Sequence, residues 1–283
     1  MDLAPAAAAA GFRLIACEQV DSTNAEALRR ARGGEPGPLW ITARVQSAGR
    51  GRRGRSWASP AGNLYATLLL TDPSPPELAA QLSFVAALAL HDAVAEVAGV
   101  IAPHVSLKWP NDMLCHGAKL AGILVEGEGT PLATAIGLGV NCTHHPEGTD
   151  YPATDLAAEG AIASPGPVFS ALSATMLQRL RQWDRGQGFA AIRAAWLARA
   201  TGLGRDIRVR LADREVTGRF DTLDLSGRLI LSLSDGSLET IAAGDVFPFD
   251  RADNTVHMSP TLSFEPSLAS PSGLPRRGDD RDL

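Results

Sequence analysis

Gly49-Arg50-Gly51-Arg52-Arg53-Gly54-Arg55-Ser56-Trp57-Ala58-Ser59-Pro60-Ala61-Gly62 is the stretch on which the reading of the fold turns. Its first six residues satisfy the GxGxxG pattern of a dinucleotide-binding turn, and Asp72 stands near the distance expected of a ribose-binding acid. That turn works because its last glycine opens a helix whose N-terminus holds the pyrophosphate. Here Ser56 to Gly62, with Pro60 inside it, is unfit for a helix of useful length. The run is instead a loop joining two strands, since Leu39 to Val45 before it and Asn63 to Thr71 after it are rich in β-formers. Its four arginines repel one another by about 0.6 kcal/mol per pair at about 7 Å in water, and its glycines raise the entropy of any ordered state. Such a loop is expected to be mobile when empty. A polyanion reverses the balance, because guanidinium forks chelate phosphate oxygens and glycine admits backbone N–H groups. The loop thus reads as a lid over a phosphorylated ligand, against the blander readings of a solvated basic loop or a general nucleic-acid patch.

Outward from the loop, Asp21-Ser22-Thr23-Asn24 precedes a helix from about Asn24 to Arg32, with Thr23 and Glu26 spaced as a capping box and Gly33-Gly34 as its stop. Pro75-Pro76-Glu77 opens a long apolar helix reaching Gly99, whose His91, Asp92 and Glu96 argue against a membrane span. Val105 to Trp109, Gly122 to Glu126 and Ala133 to Val140 are short apolar runs suited to the central strands of a covered sheet. Val168, Leu172, Met176, Leu180 and Trp183, then Phe189, Ile192 and Trp196, recur at helical spacing and read as core. From Gly204 the pattern alternates, with turns at Ser226-Gly227 and Asp235-Gly236. The expected organisation is a flexible N-terminus over 1–11, a catalytic domain over 12–203, a small β-barrel over 204–250 and a disordered tail over 251–283. The fold class is α/β of the α+β type, a mixed central sheet covered by helices.

The chain has 283 residues, and its 26 basic against 31 acidic side chains give a net charge of −5. Mild acidity argues against a whole-protein polyanion or membrane binder, so any such claim rests on a local patch. Cys17, Cys115 and Cys142 are too few and too scattered for a disulfide framework, which points to a reducing cytoplasm, and no export signal is read. Cys142, His144 and His145 lie close together but read as a polar loop after a strand, and Cys115-His116 equally as a turn. No fixed metal site is expected. Only Lys108 and Lys119 are lysines, eleven residues apart. Where arginine is favoured throughout, a surviving lysine marks a place needing a compact, flexible ammonium rather than a planar fork.

Asp21-Ser22-Thr23-Asn24, Gln46-Ser47-Ala48-Gly49 with the arginine-glycine run to Trp57, Lys108-Trp109-Pro110-Asn111-Asp112, Lys119-Leu120-Ala121-Gly122-Ile123-Leu124-Val125-Glu126 and Gly137-Leu138-Gly139-Val140-Asn141 follow in one order. In that order and spacing the chain, over residues 12 to 250, resembles the biotin protein ligases. The resemblance implies a biotin/lipoate ligase-like catalytic domain that joins biotin to ATP as biotinyl-5′-AMP. The biotinyl group then passes to one lysine of a biotin carboxyl carrier domain, of acetyl-CoA carboxylase or a related carboxylase. Biotin and ATP are thereby the substrates, with Mg2+ accompanying the phosphates. Because the resemblance begins near Phe12, a monofunctional enzyme without an N-terminal DNA-binding domain is expected, with no nucleic-acid or membrane partner. The oligomeric state stays open.

By the same resemblance, Ser22, Thr23, Asn24 and Gln46 match the positions that hold biotin, together with Arg50, Gly51, Arg52, Lys119 and Gly122. Hydroxyls and amides complement a ureido carbonyl and its two N–H groups without adding charge. Arg50, Arg52, Arg53, Trp57, Lys108, Asn111, Gly139 and Asn141 match the nucleotide side, Asn141 as an amide reading the base edge. Lys119, Arg52 and Asp112 are the implied catalytic groups, with Lys119 offsetting charge between carboxylate and α-phosphate. Asp112 either organises magnesium and phosphate or orients the incoming lysine. Trp109-Pro110 is packing or site, and Ile123 is expected beside Gly122 along the biotin tail. A lipoate-type ligase of the same fold is the enzyme rival, and an arginine-rich nucleic-acid-binding module the rival that is not an enzyme.

Overall fold

The computed structural model describes residues 1–149 and 151–248. In chain order the elements are α1 (Pro5–Ala9), β1 (Arg13–Val20), α2 (Thr23–Arg32), β2 (Leu39–Gln46), β3 (Leu64–Thr71), α3 (Leu82–Val97), β4 (Val105–Lys108), β5 (Asp112–Cys115), β6 (Ala118–Glu128), β7 (Ala133–Val140), α4 (Pro165–Trp183) and α5 (Phe189–Leu197). Five short strands follow: β8 (Asp206–Arg210), β9 (Glu215–Leu223), β10 (Leu229–Ser232), β11 (Leu238–Ile241) and β12 (Asp245–Pro248). The first seven strands form one sheet in the order β1-β2-β3-β7-β6-β5-β4. Only β1 and β2 are parallel, so the sheet is mixed.

Alternation along each strand sorts side chains to two faces. Trp40, Leu64, Ala66, Leu68, Ile136 and Leu138 join the large core with α3, α4 and α5, where Trp40 meets Phe169 edge-on at 5.4 Å and Phe84 meets Trp196 likewise. Leu39, Ile41, Leu69, Ala133 and Ala135 face the other way and pack on Ala27 and Leu28 of α2. α3 is apolar nearly all round because sheet and helices enclose it. By length and composition Pro76–Val97 is apolar enough to cross a membrane, yet most of it is buried inside the protein. Its Asp92 is held by Arg179 of α4 at 2.6 Å, the pairing that a charge in such a place requires.

Several expectations meet a different local solution. The N-terminal residues expected to be flexible include α1, whose alanines allow close packing on α4: Ala7 is fully buried and Ala4 N–H donates to Ser173 Oγ at 2.9 Å. The cap of α2 is Ser22, which accepts from Ala25 N–H, one residue before the expected capping box, and Glu26 pairs with Arg29 and Arg30 instead of reaching back. β1 carries no clean apolar alternation because it is an edge strand with β2 alone as its neighbour. The C-terminal module expected as a barrel is, in its strand ladders, an open antiparallel sheet in the order β11-β10-β9-β8-β12. Ala242-Ala243-Gly244 separates β11 from β12, which form the two edges of this sheet. The tail over 251–283 lies outside the described residues.

The turn at Ser226-Gly227 locks this module to the rest. Trp109 Nε1 donates to the Gly227 carbonyl at 3.0 Å, so the tryptophan of the Lys108–Asp112 run is a core residue as well as a cavity neighbour. Gly227 has φ +82°, and a Cβ there would stand 2.4 Å from the Phe84 ring. Gly227→Ala is therefore expected to lower unfolding stability by at least about 1–2 kcal/mol, the cost of a left-handed non-glycine residue alone. A denaturant midpoint equal to the parent's would show that the turn does not bear on this joint.

Candidate active site

One register row crosses five strands. Lys108 of β4 pairs with Asp112 of β5, Asp112 with Gly122 of β6, Gly122 with Gly139 of β7, and Gly139 with Tyr65 of β3. Directly opposed residues project to one face, so two charged residues, a bare two-glycine floor and a tyrosine line up on the α2 side. The adjacent row is Leu124, Gly137 and Thr67. The first row, with Leu124 and Gly137 of the second, lines a cavity of about 480 Å³, within the range of small-molecule sites.

At one end Asp112 sits between the two lysines of the chain, with Oδ1 at 2.7 Å from Lys119 Nζ and Oδ2 at 3.7 Å from Lys108 Nζ. Burial pulls the Lys108 ammonium below the usual lysine value while Asp112 pulls it back up. Lys108 Nζ also lies 3.6 Å from the centre of the Tyr151 ring, and burial raises the Tyr151 phenol. The Trp57 indole lies on the glycine floor, where a Cβ on Gly139 would meet it at 2.6 Å and one on Gly122 at 3.0 Å. Trp57 Nε1 is buried with no hydrogen-bond partner among the described residues.

At the other end the polar groups engage each other. Gln46 Oε1 accepts from Thr23 N–H at 2.8 Å and from its hydroxyl at 3.1 Å. The Thr67 hydroxyl lies 2.8 Å from Thr23 Oγ1 and 2.7 Å from Asn24 Oδ1, while Asn24 Nδ2 donates to Glu126 Oε2 and the Leu124 carbonyl. Asn24 fits only because Gly137 lies beneath it: a Cβ there would stand 2.2 Å from Asn24 Oδ1.

The arginine-glycine run folds as a small hairpin, with a bridge between Arg50 and Ser56 and left-handed backbone at Arg53 and Gly54. Gly49 is required where it stands, since a Cβ would lie 2.5 Å from the Trp57 carbonyl. Arg50 pairs with Glu126 at 3.2 Å, Arg55 and Arg53 with Asp245 of β12, and Arg52 reaches Asn111 Oδ1 and the Gly244 carbonyl. Burial pulls Arg52 below the usual guanidinium value, and the nearby Asp245 opposes that shift.

Ser22, Thr23, Asn24, Gln46, Arg50, Gly51, Arg52, Trp57, Lys108, Asn111, Asp112, Lys119, Gly122, Gly139 and Asn141 all border this cavity, as does Ile123, whose side chain packs into the main core on the face opposite Gly122. Arg53 does not: its left-handed backbone turns the side chain to Asp245, and Arg55 borders the cavity in its place. Asn141 Nδ2 donates to the Thr154 and Lys119 carbonyls, which ties down the Lys119 strand. In the loop after β7, Asn63 Oδ1 accepts from the backbone N–H groups of Cys142 and His144, and His145 pairs with Asp155. Thr67, Tyr65, Glu126, Tyr151, Asp245 and Phe247 are site neighbours that the sequence reading missed. Glu126 ended a quoted motif, and Thr67 is a polar residue inside an apolar strand, so both carried a local signal. Tyr151, Asp245 and Phe247 carried none.

Two family matches divide the chain. The Biotin/lipoate A/B protein ligase family matches residues 16–141, and the Biotin protein ligase C terminal domain matches residues 202–247. The biotin--[acetyl-CoA-carboxylase] ligase of Paracoccus denitrificans is 44% identical over 238 residues, which is 81% of this chain and 98% of that one. The ligase of the same description from Mycobacterium tuberculosis is 37% identical over 247 residues, 84% of this chain and 90% of its own. Among solved structures, the biotin protein ligase of Aquifex aeolicus in complex with biotin and ATP is similar with a TM-score of 0.69 at 26% identity, covering 83% of this chain and 97% of that one. The glycine-floored row, the cationic hairpin and these likenesses agree: the chain belongs to the biotin protein ligases of the biotin/lipoate ligase family.

Proposed function

We propose that the cavity brings together two anions, the carboxylate of biotin and the α-phosphate of ATP, and that the protein is an ATP-dependent biotin protein ligase. The observation that carries this reading is the imbalance of charge around the cavity. Arg50, Arg52, Arg55, Lys108, Lys119 and Arg210 border it against Asp112 and Asp245. Like charges approaching one another are opposed unless cations already stand there, and preorganised cations cost no reorganisation at the moment of reaction.

In the first step a biotin carboxylate oxygen attacks the α-phosphorus, the bond to the pyrophosphate oxygen breaks, and pyrophosphate leaves. Lys119 is the group at the meeting point of carboxylate and α-phosphate, because it borders the cavity on a partly exposed side chain from which the ammonium can exchange Asp112 for the ligand. Lys108 stays more deeply buried on the nucleotide side. Thr23, Asn24 and Gln46, fixed by Thr67 and Glu126, hold the ureido ring with neutral donors and acceptors. Trp57 on the Gly122 and Gly139 floor packs against the bound adenylate. In the second step the acceptor lysine's amine attacks the acyl carbon, an amide forms and AMP leaves. Of the two roles open for Asp112, orienting an ammonium fits better, since it already holds two of them. The cavity's carboxylates, Asp112 and Asp245, are both engaged by cations, a donor set that suits Mg2+ carried in on the phosphates, where it would neutralise their charge.

The hairpin arginines supply the cover. Their pairs with Glu126 and Asp245 are half exposed, and such pairs contribute about 0–1 kcal/mol each. A phosphate that chelates the guanidinium forks displaces them readily. Closure excludes the water that would hydrolyse a mixed anhydride. The acceptor is a biotin carboxyl carrier domain, of acetyl-CoA carboxylase or a related carboxylase, and the compartment is the cytoplasm.

Incubation with ATP, Mg2+ and either biotin or lipoate, followed by pyrophosphate release, tests the reading. Release with biotin is expected, and release with lipoate alone would select the lipoate-type enzyme instead. In the same assay Lys119→Arg is expected to lose about 100-fold or more despite keeping its charge, in line with removal of one placed electrostatic donor. Parental rates would remove the role given to this ammonium. Gly137→Ala forces Asn24 aside, an overpacking worth about 1–3 kcal/mol, so calorimetry should show biotin binding weakened about tenfold or more. Unchanged affinity would remove Asn24 from the biotin end.

A further inference from the structure

Away from the cavity, the β5–β6 turn gathers three side chains that the ligase reading does not use. Cys115 is buried at the end of β5, His116 is exposed in the turn, and Glu159 comes from the segment after Asp155. We propose that Cys115, His116 and Glu159 are a binding site for one divalent cation of the zinc class, with water as a further ligand.

The donor atoms are one sulfur, one imidazole nitrogen and one carboxylate oxygen, all within 4.8 Å of one another. His116 Nε2 and Glu159 Oε2 are 3.7 Å apart, too long for a hydrogen bond. Tetrahedral bonds of about 2.0–2.3 Å set ligand atoms about 3.3–3.7 Å apart, so the His116–Glu159 spacing suits an ion between them, and the Cys115 sulfur lies within 4.8 Å of both. Consecutive residues of a strand point to opposite faces, and Cys115 and His116 converge only because His116 and Gly117 take φ +47° and +81°, a two-residue turn. The ligands are oriented from behind. Glu159 Oε1 accepts from Thr154 Oγ1 at 2.7 Å, leaving Oε2 toward His116, and the His104 ring stacks on His116 at 4.1 Å. Such outer contacts fix ligand orientation at metal sites.

Thiolate with imidazole selects zinc, cobalt or nickel over magnesium or calcium. Binding exchanges the thiol proton for the ion: the S–H bond breaks, the S–metal bond forms, and one proton goes to solvent. The ion would staple the 152–159 segment to the hairpin that carries Lys119. That segment already bonds the hairpin, Lys119 N–H to the Pro152 carbonyl at 2.7 Å and Thr154 N–H to the Lys119 carbonyl at 3.0 Å. The role is therefore structural, stiffening the backbone on either side of Lys119.

The test titrates the full chain with Co2+ and then displaces it with Zn2+. One equivalent is expected, with a thiolate-to-cobalt charge-transfer band and tetrahedral visible bands, both removed by Zn2+. Cys115→Ser should abolish the charge-transfer band, whereas Cys17→Ser and Cys142→Ser should keep it. Glu159→Gln, and His116→Asn, which tolerates the left-handed turn, should each weaken binding at least tenfold, and Thr154→Val about 10–100-fold. If Cys115→Ser fails to fold, the His116→Asn and Glu159→Gln variants decide. Absence of a thiolate band in the parent, a band that depends on Cys17 or Cys142, or affinity unchanged in both His116→Asn and Glu159→Gln would each overturn the site.

Discussion

Strand register is the constraint on which the site depends. Lys108, Asp112, Gly122, Gly139 and Tyr65 share one cross-strand row over five strands, and a slip of one residue in any strand would turn its member to the opposite face. Register is strongly specified here because the other face is committed to the main core: Ile123, Ile136 and Leu138 go inward with α3 and α4 for the same reason that Gly122, Gly137 and Gly139 go outward. The hydrophobic effect acting on one face thus positions the chemistry of the other. The glycines then set the depth of the floor, and nothing larger is compatible with Trp57 and Asn24 where they lie.

A site for two anions must hold several cations close together before either arrives, which the electrostatics of an empty pocket opposes. The structure meets this by giving most of these cations a carboxylate, while Arg52 rests on Asn111 Oδ1 and the Gly244 carbonyl. Lys108 and Lys119 share Asp112, Arg50 has Glu126, and Arg53 and Arg55 share Asp245. Asp112 and Asp245 line the cavity themselves, and Asp245 is supplied by the C-terminal module. That module therefore has a part in the site beyond packing, since Gly244, Asp245 and Phe247 face the hairpin arginines and Lys108.

What was legible in the sequence follows from how local each signal is. The helices α2 to α5 and most strands declared themselves through periodicity, and the Lys108–Asp112 and Lys119–Glu126 runs are contiguous, so their residues arrive together. Gly122 and Gly139 were singled out in separate strands, but that they oppose each other, with Tyr65 and Asp112 beside them, is a matter of register that no single segment records. The cap of α2 shifted by one residue because Thr23 is better placed to bond Gln46 than to close a helix end. The partners of Arg53 and Asn141 were equally invisible: the Arg53 side chain, on left-handed backbone, meets Asp245, and Asn141 Nδ2 meets two backbone carbonyls. Asp245 and Phe247 lie far along the chain in a module whose own pattern concerns its alternation alone.

The central claim is that the cavity makes an acyl-adenylate and keeps it. Its most direct test omits the carrier domain: the protein is incubated with biotin, ATP and Mg2+, passed through gel filtration, and the biotinyl-adenylate in the protein fraction is compared with that in the small-molecule fraction. The account predicts nearly all of it with the protein, close to one per chain. Adenylate found mainly free, or none formed at all, would contradict it.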